Sequence, residues 1–319
     1  MTIQNIPKSN HYVYNSRNQR LHVKIYYNRQ FENHHKGYIF VVHGYGSHIN
    51  RPNYHSVYTQ IIQKGYICVC IDFHGHGYSE GRRGFIEKYT NLVDDLFSLI
   101  QTVFGYNKNP YNLDPYIEKI CKLPFYLMGH SMGGGVSILL SIIFCKYKLQ
   151  DINAYYRGMI LFSPLCRLPI PNGIGNILKI ISNIEPTLCI PSEIYDENID
   201  FSKSIKDANI LKYILDDGYP RNITGLSYGG NIMFGTLYSL YELCTAIQNN
   251  LSVINQPLLI LHDKSDDTTL YTYSENLISC VNTSNTKLMN VNGLHDIMLN
   301  EPETASQIII DWLEQQTCV

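Results

Sequence analysis

One serine of the chain stands in a setting that is typical of an enzyme nucleophile. Residues 129–133 read Gly-His-Ser-Met-Gly, with Ser131 at the centre. A short apolar run, residues 123–128, precedes this pentapeptide, and an apolar stretch of helical length begins at Gly133. A Gly-x-Ser-x-Gly sequence between a strand and a helix predicts a nucleophile elbow, a sharp turn that exposes the serine hydroxyl at the helix N-terminus. Glycines at both ends of the pentapeptide remove the Cβ atoms that would collide in such a turn.

A carboxylate and a histidine follow the serine in the chain order that this kind of site requires, which is serine, acid, histidine. The apolar run 257–261 leads into His-Asp-Lys-Ser-Asp-Asp, so three carboxylates compete for the acid: Asp263, Asp266 and Asp267. The other interpretation of these aspartates is as turn-forming side chains. His295 is the only histidine downstream of them, and it follows a run that alternates like a strand. We therefore predict that His295 is the general base.

A loop that could supply an oxyanion hole lies upstream of the serine. The buried strand predicted at residues 37–42 ends in His-Gly-Tyr-Gly, residues 43–46. A loop in this position contributes one backbone N–H to the hole, and the residue after the nucleophile contributes the other. We therefore predict the amides of Tyr45 and Met132 as the two donors, a role for which the side chain of Tyr45 is not needed.

The elements that must position these groups alternate along the chain. Strand-like runs at 37–42, 66–71, 123–128 and 157–162 are separated by helical patterns at 54–64, 88–104 and after residue 133. Such alternation predicts parallel βαβ units, preceded here by an antiparallel hairpin formed by 12–14 and 21–27. The predicted fold class is α/β, with a mostly parallel sheet flanked by helices and with the reactive loops at the carboxyl ends of its strands.

The alternation stops between residues 165 and 256, which mix apolar helical patches with loop clusters. We expect a helical cap, residues 165–256, inserted into a core made of residues 1–164 and 257–319. One apolar patch, residues 174–181, either faces a lipid or membrane surface or packs on the body as an ordinary amphipathic helix, and we take the second as the default.

Composition excludes several classes of function and location. A formal net charge of −2 in 319 residues argues against a nucleic-acid partner. Nine cysteines, an odd number without pairs at metal spacing, indicate reduced thiols and no metal site. Residues 1–10 are polar and so lack a secretory signal, and no apolar run reaches the ~18 residues of a membrane-spanning helix. We expect a cytoplasmic protein, with the cap as its point of peripheral contact with membranes.

Taken together, these motifs resemble the serine hydrolases of the monoglyceride lipase and lysophospholipase group, most closely the lysophospholipase-like paralogues of malaria-type parasites. The resemblance covers residues 12–168 and 255–316. It rests on the motifs at 43–48, 72–81, 129–134 and 163–165 and on the neighbourhoods of Asp266 and His295. It implies a capped α/β-hydrolase in which Ser131, Asp266 and His295 form the catalytic triad and the amides of Tyr45 and Met132 form the oxyanion hole. The group's His-Gly-x-x-Asp pattern places the acid four residues after the histidine, which selects Asp266.

The resemblance also implies a reaction and its substrates. Members of this group cleave carboxylic esters of single-chain lipids, lysophospholipids or monoacylglycerols, without a metal or organic cofactor. Two residues depart from the pattern: Ser47 stands where monoglyceride lipases usually have an acidic residue that organises the glycerol end, and Asp263 stands where the glycine usually lies. The alternatives are a broader carboxylesterase, thioesterase, acyltransferase or peptidase with the same triad, and a non-catalytic lipid-binding protein, which predicts a broken triad.

Overall fold

The central feature of the protein is a sheet of eight strands. A computed structural model describes residues 9–107, 113–120, 122–147, 149, 151–171, 173–191 and 203–316. The described residues form these strands, of which all but β7 and β8 belong to the sheet: β1 (Ser9–Tyr14), β2 (Arg20–Tyr26), β3 (Gly37–Val42), β4 (Tyr66–Ile71), β5 (Phe125–His130), β6 (Tyr156–Phe162), β7 (Gly218–Tyr219), β8 (Ser227–Tyr228), β9 (Leu258–His262) and β10 (Thr286–Asn290). The strand order is β1-β2-β4-β3-β5-β6-β9-β10, and β7 and β8 form a separate short pair. All neighbours from β4 to β10 are parallel, whereas β1 and β2 form an antiparallel hairpin whose second strand also runs antiparallel to β4.

Helices cover both faces of this sheet. They are α1 (Tyr54–Ile62), α2 (Tyr89–Val103), α3 (Pro115–Lys119), α4 (Met132–Lys146), α5 (Ile174–Ile184), α6 (Ala208–Asp216), α7 (Phe234–Gln248), α8 (Tyr271–Cys280), α9 (Ile297–Asn300) and α10 (Pro302–Gln316). Helices α1 and α10 pack against one face, and α2 and α4 pack against the other. The predicted α/β class, with a mostly parallel sheet between helices, is therefore confirmed.

Burial on both faces explains why the parallel strands are continuous apolar runs rather than alternating ones. In β3, Ile39 and Val41 point into the core under α1 and α10, whereas Phe40 and Val42 point into the core under α2 and α4. Successive side chains of a strand lie on opposite faces, so both sets must be apolar when helices cover both sides. This packing holds the carboxyl ends of β3, β5, β6 and β9 side by side at one edge of the sheet.

The chain between β6 and β9 leaves the sheet and forms α5, α6, α7 and the β7–β8 pair. These helices lie in the stretch that the sequence assigns to a cap between nucleophile and acid. The proposed boundaries of the three parts, 1–164, 165–256 and 257–319, stay a prediction. The leaderless N-terminus predicted from residues 1–10 falls mostly outside the described residues, which begin at residue 9.

Helix α5 presents its apolar side outward. Four isoleucines spaced three or four residues apart lie on one side of the helix and are 40–78% exposed: Ile174, Ile177, Ile180 and Ile184. The buried positions are Gly175, Leu178 and Ser182, which lie on the side that faces α7. The helix thus packs against α7 through Gly175, Leu178 and Ser182, and the default interpretation from sequence, in which the apolar side is buried, is wrong for these isoleucines. None of the helices in the described ranges has the length and hydropathy to span a bilayer.

Candidate active site

Ser131 lies in the turn between β5 and α4, in the strand–turn–helix context that its motif predicts. Its φ of 52° is unusual for a residue with a side chain. A Cβ on Gly129 would lie 2.4 Å from the carbonyl oxygen of Gly133, and a Cβ on Gly133 would lie 2.6 Å from that of His43. Only glycine fits at either position, because the obstructing atoms belong to the backbone. The amide of Ser131 donates to the carbonyl of Phe162, which anchors the turn to the end of β6 (2.9 Å).

Asp266 and His295 meet at the same edge of the sheet, although 29 residues separate them in the chain. Asp266 follows β9, His295 follows β10, and β9 and β10 are parallel neighbours. The imidazole Nδ1 of His295 lies 2.8 Å from Oδ2 of Asp266. With Nδ1–H donating to the carboxylate, Nε2 of His295 is left as the nitrogen that can accept a proton.

The surroundings of Asp266 keep it ionised. Its Oδ1 accepts hydrogen bonds from the amides of Thr268 (2.8 Å) and Thr269 (3.1 Å), and the buried imidazole of His262 lies 3.1 Å from Oδ2. Burial acts to raise the pKa of Asp266, but the charge of His295 and the hydrogen bonds from His262, His295 and Thr269 outweigh burial and hold that pKa well below its usual value. A carboxylate that stays charged can stabilise an imidazolium at His295.

His295 also lies against the elbow that carries Ser131. The ring of His130, the residue before Ser131, lies 4.9 Å from the ring of His295 between centroids. Nε2 of His130 donates to the carbonyl oxygen of His295 at 3.0 Å. Burial lowers the pKa of His130 to about 4, so this imidazole is neutral at physiological pH and acts as a fixed donor. This contact brings the backbone of His295 next to the turn that exposes Ser131.

The two other candidate acids have different partners. Asp267 is exposed, and its neighbour Asp266 is the carboxylate within hydrogen-bond distance of His295. Asp263 is buried, and its carboxylate accepts hydrogen bonds from the amides of Ser265 (2.8 Å) and Leu294 (2.7 Å). The bond from Ser265 fits the turn-forming interpretation that the sequence offers for Asp263.

The loop predicted to form the oxyanion hole passes beside the nucleophile turn. A Cβ on Gly44 would lie 3.1 Å from Cβ of Ser131 and 3.0 Å from Nδ1 of His130, so a larger residue would push the two turns apart. The next residue, Tyr45, therefore lies at the same edge of the sheet as Met132 at the start of α4. These are the two residues whose amides the sequence predicts as donors.

The side chain of Tyr45 has a structural role that sequence reasoning missed. Its hydroxyl donates to the carbonyl of Gly84 at 2.8 Å, and the same carbonyl accepts from the hydroxyl of Thr236 in α7 (3.1 Å). The tyrosine ring makes edge contacts with His76 and Tyr228, with centroids 5.6 and 5.9 Å away. The backbone of Tyr45 is therefore held by its own side chain, which is anchored where the loop after β4 meets α7.

The segment between β6 and β9 contacts this loop directly. The amide of Tyr228 in β8 donates to the carbonyl of Gly46 at 2.8 Å. Two residues further on, the imidazole Nε2 of His48 lies 3.2 Å from Oδ2 of Asp217, at the end of α6. His48 and Asp217 are 169 residues apart, and nothing in the sequence pairs them, so this contact is visible only in the folded chain.

Asp72, which follows β4, holds the loop after β3 and the loop after β4 through hydrogen bonds. Its carboxylate accepts from the amides of Ile49 (2.8 Å) and Tyr78 (3.1 Å), and the imidazole Nδ1 of His22 lies 2.7 Å away. Burial acts to raise the pKa of Asp72, but the hydrogen bond and charge of His22 outweigh burial and lower it from 3.8 to about 2. The carboxylate of Asp72 thus gives the glycine-rich loop of residues 72–81 a structural role.

Replacing Asp72 by asparagine is expected to change how acid affects stability. A carboxyl group with a depressed pKa in the folded state stabilises the fold above its unfolded-state pKa, and this contribution is lost as the pH falls through the folded-state value. Wild-type protein should therefore lose stability between about pH 4 and about pH 2, and Asp72→Asn should lose less over that window. Urea unfolding followed by the fluorescence of Trp312, the single buried tryptophan, measures both. Equal pH slopes for the two proteins would contradict the assigned contribution.

No cluster of three or more histidine, cysteine, aspartate or glutamate side chains suited to a metal ion occurs among the residues that the structure describes. The arrangement places an imidazole oriented by a carboxylate beside the turn that carries Ser131.

Comparisons with known proteins are consistent with this chemistry. The chain matches the model of the Hydrolase_4 family, described as serine aminopeptidase, S33, over residues 33–303. It is 23% identical over 280 residues to a monoacylglycerol lipase from Mycolicibacterium smegmatis, which covers 86% of this chain and 86% of that protein. It is 24% identical over 286 residues to a caffeoylshikimate esterase from Arabidopsis thaliana, which covers 88% of this chain and 78% of that protein.

Solved structures give the same result for the fold. A soluble variant of a monoglyceride lipase from Saccharomyces cerevisiae, in complex with a substrate analogue, superposes with a TM-score of 0.72 at 17% identity. The match covers 99% of this chain and 96% of that chain. It confirms the fold that the resemblance implies, and the narrower resemblance to paralogues of malaria-type parasites stays a prediction.

Proposed function

This chain is an α/β-hydrolase of the monoglyceride lipase group and belongs to the Hydrolase_4 family, and we propose that it hydrolyses carboxylic esters of single-chain lipids. In this proposal Ser131 is the nucleophile, His295 the general base and Asp266 the acid that orients it. The observation that carries the assignment is the 2.8 Å contact between Asp266 and Nδ1 of a histidine whose ring packs against the residue preceding Ser131.

The proposed reaction passes through an acyl-enzyme. Neutral His295 takes the proton from the Ser131 hydroxyl as its oxygen attacks the ester carbonyl, and the imidazolium then gives that proton to the departing alcohol. Water, activated by the same imidazole, attacks the acyl-enzyme and releases the carboxylic acid. Asp266 keeps the proton of His295 on Nδ1 and stabilises the imidazolium in both halves of the reaction. Every proton is carried by groups of the chain or by water.

The amides of Tyr45 and Met132 are the proposed donors to the tetrahedral oxyanion. A backbone donor of this kind contributes about 3–4 kcal/mol to stabilisation of the transition state. The anchored side chain of Tyr45 and the contact of Gly46 with the cap support this role, because a donor that is already in position needs no reorganisation during the reaction.

A lipid substrate is supported by the cap as well as by the relatives. The exposed isoleucines of α5 form an apolar strip that fits the acyl chains of a lipid surface better than it fits water. In this proposal the strip makes the peripheral membrane contact that the sequence predicts for the cap. A broader carboxylesterase is the second candidate, since a caffeoylshikimate esterase is similar over most of both chains.

The substrate class is tested by measuring acid release from a panel of esters. A monoacylglycerol, a lysophosphatidylcholine, a hydroxycinnamoyl ester and a short-chain p-nitrophenyl ester are each incubated with wild-type protein and with Ser131→Ala. Turnover of either single-chain lipid above that of the other esters supports the proposal. Preference for the hydroxycinnamoyl ester would favour the esterase, and transfer of the acyl group to an added alcohol would identify an acyltransferase.

A further inference from the structure

Asp263, three residues before the proposed acid, bridges the two loops that carry the acid and the base. Its side chain is 3% exposed. Oδ1 accepts from the amide of Ser265 at 2.8 Å, within the loop that carries Asp266. Oδ2 accepts from the amide of Leu294 at 2.7 Å, in the loop that carries His295. One carboxylate therefore sets the separation of the two loops.

The backbone of Asp263 adds a third contact within the acid loop. Its carbonyl oxygen accepts from the amide of Asp266 at 3.1 Å, which closes a tight turn between the two aspartates. The position of Asp266 relative to Asp263 is thus determined by backbone and side chain together. Whatever holds Asp263 in place against the histidine loop also holds Asp266 there.

Leu294 has a conformation that needs this support. Its φ is 50°, in the left-handed region that residues with a side chain adopt only rarely. Strained conformations persist where surrounding contacts hold them. The bond from Asp263 supplies such a contact at the amide directly before His295, so the direction in which the His295 side chain leaves the backbone depends on it.

From these contacts we infer that Asp263 is a positioning residue, which places His295 against Asp266 by holding the backbone of Leu294. This inference rests on the proposed function. It also explains a departure from the related pattern, in which a glycine stands at this place and can supply no carboxylate. Reactive groups that move by about 1 Å can lose about 100-fold in rate, so a tether at this position should affect the chemical step more than substrate binding.

The loop that carries His295 has other contacts, which do not involve Asp263, so a variant that lacks this carboxylate can be tested. The amide side chain of Asn300 donates to the carbonyl of Gly293 at 2.7 Å, and the carbonyl of His295 accepts from His130. The loop therefore keeps two tethers when the carboxylate is removed. We expect Asp263→Ala to fold and to misplace the imidazole rather than to release the whole loop.

The test measures kcat and KM separately with a short-chain p-nitrophenyl ester. Asp263→Ala should lower kcat by about 10- to 100-fold with KM unchanged. Asp263→Asn should lose less, because its amide oxygen can still accept from Leu294. Asp267→Ala, which removes an exposed carboxylate one residue after the proposed acid, is the matched control and should match wild type. A kcat for Asp263→Ala equal to that of the control would overturn the inference.

A second substitution tests the route through Leu294. Asparagine tolerates the left-handed conformation better than leucine does. Leu294→Asn, placed in the Asp263→Ala background, should therefore recover part of the lost kcat. If the two substitutions changed kcat independently, so that Leu294→Asn recovered none of the kcat lost in Asp263→Ala, the effect of Asp263 would not pass through the backbone of Leu294.

A spectroscopic measurement separates this inference from the proposed function. The Nδ1 proton of His295, hydrogen-bonded to Asp266, should give a low-field proton resonance in wild-type protein. Asp263→Ala should shift or broaden it, and Asp267→Ala should leave it unchanged. Failure of the proposed function would appear as absence of ester turnover and of fluorophosphonate labelling in wild-type protein. Failure of the inference alone would appear as an unchanged resonance and kcat in Asp263→Ala of an active enzyme.

Discussion

Ser131→Ala is expected to lower kcat for ester hydrolysis by roughly 10⁴- to 10⁶-fold, because no acyl-enzyme can form without the hydroxyl. The fold should survive, since the turn at position 131 is held by backbone contacts to Phe162, Gly135 and Leu165 that alanine keeps. Binding of an acyl chain should persist for the same reason. Steady-state hydrolysis and labelling with a fluorophosphonate probe measure the loss.

Ser137→Ala is the matched control for that experiment. It removes a serine hydroxyl from α4, the helix that follows Ser131, and this hydroxyl donates to the carbonyl of Gly133 and takes no part in the proposed reaction. Near-wild-type turnover is expected for it. If Ser131→Ala kept the same turnover as Ser137→Ala, or if wild-type protein failed to react with the probe, Ser131 would not be the nucleophile, and a lipid-binding protein would become the better description.

Asp266→Asn is expected to lower kcat by about 10⁴-fold while leaving the structure almost unchanged. The amide of asparagine can present N–H to Nδ1 of His295, which would move the imidazole proton to Nε2 and remove the acceptor for the proton of Ser131. The imidazolium would also lose the charge that stabilises it. Kinetic measurement should show the loss in kcat, with KM changed little, because the carboxylate contacts no substrate in the proposed reaction.

Asp267→Asn tests whether the effect belongs to the position or to the cluster of aspartates. This side chain is exposed and adjacent in sequence, so the substitution makes the same chemical change one residue away. It should retain wild-type kcat. A large loss in Asp267→Asn and a small one in Asp266→Asn would move the role of the acid to Asp267.

Local signals in the sequence were strong enough to predict the fold class, the elbow and the order of the reactive groups. The glycines around Ser131 are required by backbone atoms less than 3 Å from any added Cβ, and such a requirement leaves a mark in the sequence itself. Parallel strands buried on both faces likewise leave continuous apolar runs. The strands of the sheet therefore occur close to where the sequence predicts them.

The outward-facing isoleucines of α5 illustrate a limit of the same reasoning. Periodicity identifies the helix and its apolar side, but it does not say whether another part of the chain covers that side. In the folded protein the side that packs against the body carries glycine, leucine and serine, and the isoleucines face solvent. Whether one side of a helix is buried depends on which other element packs against it, so the pattern within that helix cannot determine its burial.

What the sequence determined by itself was therefore local: which serine stands in an elbow, which loop can supply amides and which histidine follows the acids. The resemblance to a known group selected Asp266 among three neighbouring carboxylates, but only the tertiary structure shows the contact of Asp266 with His295 and the bond of Asp263 to the amide of Leu294. The physical reason is that these choices depend on loop backbones placed by the parallel pairing of β9 with β10. A shift of one residue in a turn changes which carboxylate meets the imidazole, and that imidazole belongs to a separate loop 29 residues further along the chain.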